Sequence, residues 1–123
     1  MQCISKSIRT FIGARDYGES RRFYARLGFE EVIIDRKMSY FKVRGSLGFY
    51  LQDYYEKSWV ENTMLLLEVE NFDNCYRELM ALDLPKDYPG VRFSEVRRED
   101  WGRELHMHDP AGVLWHFAEF RTN

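Results

Sequence analysis

The chain has 123 residues, 45% of them hydrophobic, 16% aromatic and 31% charged, with a net charge of −2. That length suits one domain spanning 1–123, with a core large enough to need no disulfide or structural metal, and the aromatic content excludes an unfolded chain. The near balance of charge excludes a global pull toward nucleic acid, no apolar run approaches the roughly 18 residues of a membrane span, and MQCISKSIRT lacks an apolar signal core.

In chain order, residues 8–14 read as a strand, and a helix over 16–27 follows. Asp16 stands at its N-cap position with Glu19 three residues on, as a capping box prefers. Phe23, Tyr24 and Leu27 form its apolar stripe, and Gly28 stops it. Aromatic and β-branched residues then predict strands over 29–35, 38–44 and 47–53, separated by short polar turns. The segment 54–62 reads as a linker. A strand over 64–70 leads to a helix capped by Asn71 or Asp73 that carries Cys75, Tyr76, Leu79, Met80 and Leu82. Pro85 and Pro89-Gly90 mark a loop. Strands are predicted over 91–96, 103–109 and 113–120, the last two joined by Asp109-Pro110-Ala111-Gly112, with Arg97-Arg98-Glu99-Asp100 as a solvated turn.

The order repeats. At an offset of 55 residues Asp16 aligns with Asn71, Arg22 with Arg77 and Leu27 with Leu82. The reading is therefore α+β, a βαβββ module over about 6–54 and a second over about 62–120. Strand alternation sorts the faces. Trp115 and Phe117, like Leu65 and Leu67, belong against the helices, whereas His116, Gln52, Glu68 and Arg9 belong to a mixed face that lines a concavity or meets a partner.

Met38, Tyr40, Tyr50 and Gln52 share that mixed face and are candidate ligand contacts, with half-buried core tyrosines as the plain alternative. His106 and His108 are two apart on one strand and point the same way, together with Glu104. His116 lies on the next strand, and the hairpin register decides whether it meets His106. Two imidazoles with a carboxylate are the donor set of a zinc or iron site. Cys3 and Cys75 fit no metal or redox spacing, so a reduced, cytoplasmic protein is expected.

FIGARDYGESRRFYARLGFEE resembles the opening of the vicinal oxygen chelate superfamily, which groups glyoxalases, extradiol dioxygenases and the fosfomycin and bleomycin resistance proteins. ENTMLLLEVENFDNCYRELM and WGRELHMHDPAGVLWHFAEF are similar to its bleomycin-resistance branch. The resemblance implies paired βαβββ modules curling into half-open barrels, and a homodimer with grooves between subunits. It places metal-ligand positions at Arg9, Gln52, Met64 and His116. A guanidinium repels a cation and a thioether is a poor ligand for a hard one, so no metal or other cofactor is expected. The branch implies capture of a small molecule without chemical change, and puts Trp101 on the groove wall and Trp59 near the partner's part of it. Trp101 as an edge-packing loop residue and Trp59 as a dimer contact are the alternatives.

The expected function is sequestration of a planar, partly aromatic ligand, a bleomycin-family antibiotic being one candidate, with no nucleic-acid or membrane partner. The nearly balanced charge would steer a cationic drug only weakly. Two other functions stand beside it: a metal-dependent lyase, dioxygenase or transferase using Glu104, His106 and His116, and an interaction module with no small-molecule role.

Overall fold

The 55-residue repeat is written into the helix caps. In the computed structural model, which describes residues 1–122, helix α1 spans Tyr17–Arg26 and helix α3 spans Phe72–Ala81. Asp16 caps α1 by accepting the Glu19 N–H, and Asn71 caps α3 by accepting the Asn74 N–H. Leu27 and Leu82 are the matching C-caps. Each side-chain oxygen satisfies an N–H that the first helical turn leaves without a partner, so the caps set where both helices begin.

Each helix follows a strand and precedes the rest of a sheet. The first sheet comprises β1 (Phe11–Gly13), β2 (Glu30–Asp35), β3 (Met38–Arg44) and β4 (Leu47–Gln52) in the order β1-β4-β3-β2. The second comprises β5 (Met64–Glu68), β6 (Arg92–Phe93), β7 (Arg97–Glu99), β8 (Gly102–His108) and β9 (Leu114–Phe120). Its order is β5-β9-β8-β6, with β7 paired to β8. In both sheets the first strand runs parallel to the last, β1 beside β4 and β5 beside β9, and the other pairs are antiparallel. Neither sheet closes into a barrel. Among the described residues no helix is long and apolar enough to cross a membrane.

Several expected boundaries move. The first strand begins at Phe11, and residues 1–10 are exposed without strand or helix. The linker contains a one-turn helix, α2 (Lys57–Val60), and the proline loop contains another, α4 (Leu84–Asp87). The strand expected over 91–96 shrinks to two residues, and the turn expected at Arg97–Glu99 is strand β7. Its three charged side chains give no apolar alternation, and backbone pairing alone makes it a strand. Helix α1 is tied to β2 by Arg21, whose guanidinium makes a two-bonded pair with Glu31, at 2.6 and 3.2 Å.

One buried cluster runs through both modules. Phe23 and Tyr24 of α1, Phe41 and Phe49 of the first sheet, and Leu105, Met107, Trp115 and Phe117 of the second belong to it. The apolar strand faces therefore pack toward the helices, as alternation predicts. Arg103 ties that side together, binding Asp73 and Glu119 at 2.9 Å each while its guanidinium lies 4.9 Å from the Phe72 ring centre.

Candidate functional site

The opposite strand faces form two walls, one on each sheet. On the first, the β3–β4 register sets Met38 across from Gln52 and Tyr40 across from Tyr50. Phe11 of β1 stacks on Tyr50 with ring centres 4.7 Å apart, and Tyr50 tilts against Tyr40 at 5.0 Å. Arg9 closes this group. Its guanidinium carbon lies 4.3 Å from the Tyr40 ring centre, and Nη1 donates to the Tyr50 hydroxyl at 3.4 Å. Tyr40 is buried and lies over Gly48, where a Cβ would come within 2.1 Å of its hydroxyl oxygen. Among the described residues that hydroxyl has no hydrogen-bond partner.

The second wall carries the titratable groups. The β8–β9 register places His106 directly opposite His116, and their rings meet edge to face with centres 4.4 Å apart. Glu104, two residues before His106 on the same face, turns one carboxylate oxygen to both rings. Its Oε1 lies 2.5 Å from His106 Nε2 and 2.8 Å from His116 Nδ1. Burial pushes the Glu104 carboxyl up, but the hydrogen bonds from His116 and His106 outweigh it and hold it below the ordinary carboxylate range. His108 shares the face but stands apart from the cluster. Burial lowers its pKa, and Arg92, its partner in register, lowers it further.

Apolar side chains surround the cluster. At one end Trp101, 38% exposed, packs on Phe120 with ring centres 5.2 Å apart. Beside β9, the β5 register sets Leu66 against His116 and Met64 against Leu114. Leu66 is 52% and Met64 64% exposed. An open groove of about 630 Å3 runs alongside, lined by Leu47, Leu66, Glu68, Glu70 and Phe120 among others.

Met38, Tyr40, Tyr50 and Gln52 thus meet on one wall, and Glu104, His106 and His116 meet on the other with Trp101 at its end. Trp59 joins neither. It sits on α2, 5.9 Å from Tyr54 between ring centres, and packs against Gly13, where a Cβ would come within 2.8 Å of it. Phe120 and Leu66 are wall residues not among the expected ligand contacts. Phe120 is four residues beyond His116 and so shares its face, and Leu66 shares the face of Glu68 by the same alternation; what the β5–β9 register adds is that Leu66 stands beside His116.

The four ligand positions implied by the resemblance do not fit a metal centre. Arg9 covers Tyr40, Gln52 faces Met38 on the first wall, Met64 offers a thioether, and only His116 presents an imidazole. That donor set does not suit a hard or borderline divalent ion.

No protein-family model and no curated protein matches the sequence. Solved structures match along almost the whole chain. The bleomycin-binding protein from Streptomyces verticillus, complexed with copper(II)-bleomycin, is 24% identical with a TM-score of 0.80, over 98% of this chain and 100% of that one. A bleomycin resistance determinant encoded on the transposon Tn5 is 19% identical with a TM-score of 0.76, over 96% and 100%. A lactoylglutathione lyase from Agrobacterium tumefaciens is 18% identical with a TM-score of 0.73, over 94% of each chain. Binding proteins and an enzyme thus share this architecture, and the chain has the glyoxalase/bleomycin resistance fold.

Proposed function

We propose that this protein is a single-domain, cytoplasmic homodimer that captures a planar, partly aromatic small molecule and releases it unchanged. The observation that carries the reading is the second wall. Trp101, Phe120, Leu66 and Met64 leave a large apolar surface open on a strand face whose centre is polar. Such a face is an expected binding surface, because contiguous exposed apolar area is otherwise disfavoured in water. The exposed Ile4 and Ile8 of the amino-terminal arm add apolar surface for a second copy to cover. Likeness to antibiotic-binding proteins of the same fold supports a guest of bleomycin type.

Native mass spectrometry of protein from cells tests the reading. Two subunits and a retained small molecule that leaves intact are expected. Titration with bleomycin, followed by tryptophan fluorescence, is the direct assay. Trp101→Ala should weaken binding by roughly 1–3 kcal/mol, as loss of an aromatic anchor does. Unchanged affinity removes Trp101 from the site, and chemical conversion of the guest rejects capture as the function.

A metal-dependent lyase, dioxygenase or transferase is the second reading. The convergence of Glu104, His106 and His116 favours it. Turnover of a guest that stops on His116→Ala would decide for it.

A further inference from the structure

Of the Glu104–His106–His116 cluster only His116 occupies a chelate position implied by the resemblance; Glu104 and His106 lie on the neighbouring strand, and the capture reading gives the cluster no task. Its donors converge closely, with the three ligand atoms all within 4.8 Å of one another. Two adjacent strands deliver them from one side. His106 and His116 are held in register by β8–β9 pairing, and the His106 backbone is held from its other side by Ser94, whose Oγ accepts the His106 N–H at 3.0 Å while its N–H donates to the His106 carbonyl.

Charge around the cluster leaves the carboxylate free for this use. Arg97 stands opposite Glu104 in the β7–β8 register, yet among the described residues no ion pair joins them. The Glu104 carboxylate is turned to the imidazoles instead, and one oxygen serves both. The other charged groups near this face are Glu68, across from Ala118, and Arg92, across from His108.

We infer that Glu104, His106 and His116 form a site for a first-row divalent transition-metal ion on the second wall, with coordination positions open to donor atoms of a guest. Two imidazole nitrogens and one carboxylate oxygen are a borderline donor set, suited to zinc, cobalt, nickel, copper or iron rather than to magnesium or calcium. At bond lengths of about 2.0–2.2 Å, ligand atoms around a tetrahedral ion stand about 3.3–3.6 Å apart. The present hydrogen-bond spacings of 2.5 and 2.8 Å must therefore open by about 0.5–1 Å, within the reach of side-chain rotation, as the ion replaces the bridging protons. All three donors come from the sheet beneath, so the open positions face away from the sheet. Only the part of the inference that concerns the guest rests on the capture reading.

Titration of the full-length, EDTA-treated protein with zinc(II) alone, by calorimetry, tests the site without any guest. One ion per chain is expected, and cobalt(II) should give ligand-field absorption bands in the same stoichiometry. His106→Ala and His116→Ala should each weaken zinc(II) binding by roughly 100-fold or more, since even supporting residues of metal sites are worth about 10- to 100-fold. Glu104→Gln, a nearly isosteric change, should weaken it by about tenfold. His108→Ala should leave it unchanged. Failure of zinc(II) to bind saturably to the wild-type chain overturns the inference, as does undiminished binding by the His106→Ala/His116→Ala double variant. Either failure leaves the capture reading standing, because that reading is measured with the guest.

Discussion

Asp109→Ala is expected to destabilise the fold by about 3 kcal/mol at neutral pH, and by more in mild acid. Asp109 is completely buried in the turn between β8 and β9. Its Oδ1 accepts the N–H groups of Ala111 and Val113 at 2.9 Å each, and its Oδ2 accepts the Tyr24 hydroxyl at 2.6 Å. The Tyr24 oxygen in turn accepts the Trp115 indole N–H at 2.9 Å. Alanine leaves three donors with no acceptor, each costing about 1–3 kcal/mol when buried. Removal of a buried charge offsets part of that cost.

The charge term has a definite pH dependence. Burial pushes the Asp109 carboxyl up to about 6, against the hydrogen bonds from Tyr24 and from the backbone of Val113, Ala111 and Gly112. In the unfolded chain it titrates near about 3.9. The folded state therefore holds the proton more tightly. Its contribution to stability is fully present below the unfolded pKa and is lost as pH rises through about 6. A difference of about two units corresponds to roughly 3 kcal/mol. Asp109→Asn keeps an oxygen for Ala111 and Val113 and carries no charge, so it should lack this slope. Urea denaturation at about pH 4 and about pH 7 measures it: the stability of wild type relative to Asp109→Asn should fall by roughly 2 kcal/mol across that span, since at about pH 4 the unfolded carboxyl is already half ionised. A constant difference would mean that the carboxyl ionises in the fold as it does in the open chain.

The same residue explains what could be read from the sequence and what could not. The helix caps were legible at Asp16 and Asn71 because capping is local chemistry, decided within three residues. The wall faces were legible because strand side chains alternate, so Gln52 and His116 fall opposite Leu51 and Trp115 without any knowledge of pairing. The meeting of His106 with His116 was not legible, because it depends on how many residues the hairpin consumes. Asp109 settles that count by binding two backbone N–H groups of its own turn, and the register that follows brings the imidazoles together. Helix α2 escaped notice because a single turn has no period to detect, and its cap is Glu56, an acceptor outside the usual N-cap set. Tyr24 read as a helix-stripe aromatic. That its hydroxyl bridges Asp109 and Trp115, 85 and 91 residues later, belongs to tertiary structure alone.

Gly102→Ala should disturb both the fold and the second wall without removing any side chain. Gly102 begins β8 at φ +152, in register with Phe120, and a Cβ there would lie 2.0 Å from the Glu119 carbonyl oxygen and 3.1 Å from the Phe120 Cα. Both contacts are backbone, so no rotamer change relieves them. The strands must part at the end where Trp101 packs at a tilt against Phe120 and where the Trp101 carbonyl accepts the Arg121 N–H at 2.7 Å. The expected cost is roughly 2–4 kcal/mol. Gly45→Ala is the comparison: at φ +56 it strains the backbone, but nothing lies within 4 Å of the added carbon, so its cost should be about 1–2 kcal/mol. Thermal or urea unfolding of the two variants separates conformational strain from collision. Under the capture reading Gly102→Ala should also weaken guest binding about as much as Trp101→Ala, because the indole loses its support, whereas Gly45→Ala should leave binding unchanged. Equal stability losses in the two variants would show that the β8–β9 end yields to the added methyl, and that Trp101 does not depend on the close approach of Gly102 to Glu119 for its place on the wall.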